Sequence, residues 1–70
     1  MTLGEKILKY RGTNKVTQKE FAEKVGYSVA TISYIENGWQ EKCSLPKFAK
    51  MAKEMNLTAE EIYEIVLSNA

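Results

Sequence analysis

The sequence predicts an all-α fold, a compact arrangement of five helices. Three observations carry that expectation. A capping-box pattern occurs three times, with Thr2 ahead of Glu5, Thr17 ahead of Glu20 and Thr58 ahead of Glu61. At that spacing, side chain and backbone close a helix start reciprocally. Apolar residues recur every three or four positions, and no run alternates convincingly as a strand would. Residues Gln18 to Asn37, QKEFAEKVGYSVATISYIEN, have the form of two short helices joined by one tight turn.

Taken in order, the first helix opens at Thr2. Leu3, Ile7 and Tyr10 share a face with Leu8 beside them, and Gly12-Thr13-Asn14 is expected to break it. Thr17 caps the second helix, whose apolar face is Phe21, Ala22 and Val25. Gly26 follows at once, the residue best able to take the left-handed geometry that ends a helix. Ser28 caps a third helix running to about Glu36, with Ile32 and Ile35 as its buried stripe and Asn37-Gly38 as its stop.

Trp39 to Cys43 reads as a loop. Ser44 caps the fourth helix, and Pro46 falls in its first turn, where a missing N–H costs little. Leu45, Phe48, Ala49, Met51, Ala52 and Met55 give this helix a broad apolar face, and Asn56 suits a left-handed end. Thr58 opens the fifth helix, which buries some of Ile62, Ile65 and Val66. With no repeat, linker or low-complexity segment, residues 1–70 are expected to form a single domain.

Composition narrows the function classes. The 44% apolar content argues for a folded chain, though a core this small leaves stability modest. One Cys and no His rule out an intrachain disulfide, a zinc finger and any His-based catalysis. Asp is absent as well, so no enzyme activity and no cofactor are expected. No signal peptide or membrane span is legible, and the default location is cytoplasmic. Net charge is only +1, yet residues 1–50 carry nine Lys/Arg against five Glu, and residues 51–70 one Lys against four Glu. A basic front and an acidic tail suit a molecule with one face toward an anion; two ordinary solvated faces are the plain alternative.

Arg11, Val16 to Ala22, Val25 to Ser28, Thr31 to Ser33 and Ile35 to Gly38 form an ordered set. It continues through Ser44-Leu45, Ala49 to Ala52 and Met55 to Ile62. At this spacing the chain resembles the phage repressor and Cro-like helix-turn-helix family, the xenobiotic-response-element type of bacterial regulator, from about Leu3 to Tyr63. The resemblance implies a lambda-repressor-like DNA-binding fold with the helix-turn-helix at residues 18–37. In that family the start of the third helix lies in the major groove.

Carried over by position, the base-facing residues are Val29, Ala30, Ser33 and Tyr34. The phosphate-facing residues are Thr17, Gln18, Lys19, Ser28, Thr31, Asn37 and Lys42, with Lys47 as a further nearby charge. Thr17 is also the helix cap. Arg11 and Glu36 stand where part of the family pairs an arginine with a glutamate beside the phosphates. That pair reads as a tie between helices, as a guanidinium oriented toward phosphate, or as both.

The chain departs from the family at Lys15, where a glycine is common; Asn14 is the expected left-handed residue there. Cys43 replaces a common proline and reads as a semi-buried thiol. Trp39 is expected at the core edge, Met51 and Met55 in the core, and Glu60, Glu61 and Glu64 on a solvated face.

The leading expectation is a sequence-specific regulator of double-stranded DNA, a bacterial or phage repressor that acts as a homodimer at least on DNA. Its dimer surface would come from the loop after the third helix or from the fifth helix. The alternative is a protein-interaction module of the same fold, of antitoxin or coactivator type, whose helices meet a protein partner.

Overall fold

The computed structural model describes residues 2–38 and 44–68, and the expectations for Trp39, Lys42 and Cys43 lie outside them. Five helices follow in order: α1 (Leu3–Asn14), α2 (Gln18–Val25), α3 (Val29–Glu36), α4 (Leu45–Glu54) and α5 (Ala59–Ser68). There is no strand among the described residues.

The helix starts follow from local chemistry. Thr2 and Thr17 each accept from the backbone N–H three residues on, and Glu5 and Glu20 reach back to the cap N–H. Thr58 and Glu61 do the same ahead of α5, at 3.1 Å and 2.9 Å. Ser28 and Ser44 cap α3 and α4, with Pro46 in the first turn of α4. At the other ends, Gly26 takes φ 79° after α2 and Asn56 takes φ 55° after α4.

The end of α1 departs from expectation. Gly12-Thr13-Asn14 does not break the helix; α1 runs through Asn14. The left-handed residue is Lys15, at φ 55°, and not Asn14. Asn14 instead turns its amide back onto the Tyr10 carbonyl at 2.9 Å, which extends the helix by satisfying one of its last acceptors. The chain accepts a non-glycine residue there because Lys15 N–H closes onto Arg11 O and Val16 N–H onto the same carbonyl.

All five helices contribute to one apolar cluster: Leu3 and Ile7, Phe21, Ala22 and Val25, Ile32 and Ile35, Met51 and Met55, and Ile65. Tyr10 packs on Phe21 with ring centroids 5.8 Å apart. Three expected apolar faces are narrower than the sequence suggested. Leu8 is exposed on α1, Leu45 and Ala49 on α4, and Val66 on α5. Each of these helices buries one stripe, and these side chains fall to the side of it.

Polar ties hold the helices at the rim. Tyr10 Oη donates to Glu54 Oε2 at 3.0 Å, and Lys24 pairs with the same carboxylate at 3.3 Å, joining α1, α2 and α4. Burial, then the Glu54 hydrogen bond, raises the Tyr10 pKa above its ordinary value. Lys6 pairs with Glu61 between α1 and α5.

One contact fixes where α3 lies. Gly4, in the first turn of α1, is buried against the last turn of α3. A Cβ placed there would stand 2.2 Å from the Ile35 carbonyl oxygen and 3.0 Å from Glu36 Cα. Backbone meets backbone at this crossing, so only glycine fits.

Candidate nucleic-acid interface

The motif begins with α2, which the Phe21–Ala22–Val25 face anchors in the core. Gly26 ends it, and two residues later Ser28 starts α3 across it. Ala22 is 2% exposed and Ile32 is fully buried, so the small side chain lets the two helices approach where they cross. With Ile32 and Ile35 turned inward, the outward surface of α3 is Val29, Ala30, Ser33 and Tyr34. Ala30, Ser33, Tyr34 and Asn37 border one shallow, open depression on that surface.

A buried polar node locks this arrangement. The Glu36 side chain, 5% exposed, accepts from Arg11 Nε at 2.6 Å and Arg11 Nη2 at 3.0 Å. Gln18 Nε2 donates to the same carboxylate at 2.7 Å. Arg11 Nη1 also donates to the Val16 carbonyl at 3.2 Å. The end of α1, the start of α2 and the end of α3 therefore meet at one carboxylate, and the Arg11 guanidinium ties the α1–α2 connection to it. The Glu36 hydrogen bonds raise the Arg11 pKa further, so the guanidinium stays charged. A buried charge satisfied by three donors fixes geometry more than it adds net stability.

The remaining expected residues lie at the helix ends of the motif. Thr17 is a cap, accepting from Glu20 N–H at 3.0 Å. Lys19 is exposed in the first turn of α2. Ser28 accepts from Thr31 N–H at 3.2 Å, and the two hydroxyls share a hydrogen bond at 3.0 Å. Asn37 follows α3 and its amide donates to the Ser33 carbonyl at 2.8 Å. Lys47 is committed elsewhere: its ammonium caps the Gly26 carbonyl at the end of α2 and lies 4.8 Å over the Tyr27 ring. It braces the turn of the motif, which was not legible from spacing alone.

Two further positioning features are not legible in the sequence. Gly4 is one; a glycine inside a helix costs about 1 kcal/mol against alanine, a signal that something close must require it. The other is the Gln18–Glu36 hydrogen bond, which joins residues 18 positions apart and has no local signature.

A helix-turn-helix family model matches residues 7–62. The span contains both helices of the motif and all three side chains of the node. The chain belongs to the helix-turn-helix family of the Cro and C1 type. Neither the curated proteins nor the solved structures hold a match to the chain. The family is one of DNA-binding regulatory domains and not of enzymes, and it makes double-stranded DNA the partner class. Among the described residues no helix is long and apolar enough to cross a membrane.

Proposed function

We propose that this helix-turn-helix chain is a sequence-specific transcriptional repressor that occupies an operator through the major groove. The observation that carries this reading is the outward face of α3. It is free of core duty, yet held rigidly through Glu36 to the start of α2 and the end of α1. Val29, Ala30, Ser33 and Tyr34 face the bases. Thr17, Gln18, Lys19, Ser28, Thr31 and Asn37 border the backbone. The first turn of α3 carries no acidic side chain, so its partial positive charge stays available to a phosphate.

Gln18 has two amide hydrogens. One is directed at Glu36, and the other is left for a phosphate oxygen, so strand and recognition helix are set by a single side chain. One helix reads few base pairs. Two copies on half-sites about 34–36 Å apart add their contacts, and a homodimer on DNA follows. On α5, Tyr63, Val66 and Leu67 are 65%, 52% and 55% exposed and supply apolar surface for the second copy. The same surface favours the second reading, a module that binds a protein partner.

Salt separates the two readings. Affinity for duplex DNA is expected to fall steeply and linearly on a logarithmic plot as salt rises, by counterion release from several phosphates. Fluorescence anisotropy with a labelled duplex reads this directly. Binding that is absent at low salt, or indifferent to salt, removes the operator reading and leaves the protein-partner one.

A further inference from the structure

The solvent-facing surface of α3 offers methyl groups where a groove reader usually offers amides or guanidinium. Val29 is 42% exposed at the first position of the helix, and Ala30 is exposed beside it. Val29 to Glu36 contain no Lys, Arg, Gln or Asn. Apart from the Ser33 hydroxyl and that of Tyr34, which is 62% exposed, the polar groups nearby are engaged. The Thr31 hydroxyl is bonded to Ser28, the Asn37 amide to the Ser33 carbonyl, and Glu36 to Arg11 and Gln18. Bidentate grip on guanine or adenine, the usual source of hydrogen-bond readout, has no side chain here to perform it.

An apolar face in the major groove discriminates in its own way. A guanine opposite Val29 would lose water from O6 and N7 without gaining a donor, a penalty for each stripped acceptor. A pyrimidine with a methyl at C5 presents apolar surface instead, and burying it is favourable. Only two common bases carry that group: thymine and 5-methylcytosine. The depression bounded by Ala30, Ser33, Tyr34 and Asn37 lies on the same surface and offers a second apolar contact beside the first.

We propose that α3 selects C5-methyl pyrimidine edges, with Val29 and Ala30 packing on the methyl groups of thymine or 5-methylcytosine and Ser33 contributing only a weakly selective hydrogen bond. This rests on α3 being the groove-reading helix. Orientation then comes from the backbone contacts around Gln18 and Asn37, and sequence preference from the pattern of methyl groups along the groove.

The test begins with duplexes enriched from a random pool by the full chain. In each enriched site, thymines are replaced one at a time by deoxyuridine, which removes only the C5 methyl. At the positions facing α3, each replacement is expected to weaken binding roughly fourfold, the worth of one buried methyl, with an unchanged salt slope. Replacing a sensitive T·A pair by 5-methylcytosine·G distinguishes the sources. Restored affinity means that the methyl alone is read, and a loss means that thymine is the base selected. The variant Val29→Ala removes both γ-methyls while favouring the helix, and is expected to weaken binding to the enriched site and to lose uridine sensitivity at one position. Enriched sites that tolerate uridine everywhere, or that are guanine runs without thymine, overturn the proposal and leave α3 as a groove reader. Failure to enrich any duplex overturns both.

Discussion

At the scale of single residues, α3 is held by two residues that contribute opposite things. Gly4 contributes an absence, since its missing Cβ lets α1 touch the α3 backbone. Gly4→Ala is expected to destabilise the fold by about 2 kcal/mol or more, because backbone cannot move aside as a side-chain end can. A thermal melt matching the parent within error would show that the crossing is looser than described. Glu36 contributes a buried carboxylate, and Arg11→Ala leaves it with only the Gln18 amide. The expected loss is about 3 kcal/mol, read from urea midpoints. Lys15 is the opposite case, a non-glycine residue at φ 55°. Lys15→Gly is expected to stabilise by about 0.5–1 kcal/mol, since glycine adopts that geometry without steric cost. A loss of stability would mean that the lysine side chain has a role of its own.

At the scale of helices, starts were far more legible than ends. Thr2, Thr17, Ser28, Ser44 and Thr58 all cap where their spacing to the next acidic or apolar residue places them. A cap is a local event, settled within four residues, so one sequence suffices to read it. The end of α1 is not legible locally because it depends on Asn14 returning to Tyr10 and on Lys15 accepting a left-handed backbone. Faces were legible in their centre and overdrawn at their edges, as Leu45, Ala49 and Val66 illustrate. Which edge residue is covered depends on the neighbouring helix, which periodicity cannot see.

The caps also set the response to acid. The backbone N–H of Thr2 and of Thr17, then their hydroxyls, hold the Glu5 and Glu20 carboxyls below the usual range. The Lys6 ammonium, with the Thr58 backbone, lowers Glu61 to about 2. Each folded pKa lies below its unfolded value. The stability they contribute is therefore complete above the unfolded carboxyl range and is lost as pH falls toward 2. Urea midpoints are expected to be level from pH 7 to about 5 and to decline below that. A midpoint that holds or rises between pH 5 and 3 would contradict the description of these helix starts.

At the scale of the whole molecule, the fold, the motif and the Arg11–Glu36 pair were readable in the sequence, while the Gln18 hydrogen bond that completes the node was not. Gln18 and Glu36 lie at opposite ends of the helix-turn-helix, and nothing between them announces their hydrogen bond. It exists because Gly4 and Ala22 let α3 settle close to α1 and α2. We infer that this settled α3, with Gln18 and Asn37 at its flanks, is the surface that meets the operator. The direct measurement is an NMR titration of the isotope-labelled chain with a short enriched duplex at low and at moderate salt. Amide shifts are expected to concentrate at Gln18, Lys19, Ser28 to Tyr34 and Asn37, and to shrink together as salt rises. Shifts that gather instead on the α5 surface at Tyr63, Val66 and Leu67, with Ser28 to Tyr34 unmoved, would show that α3 does not meet DNA.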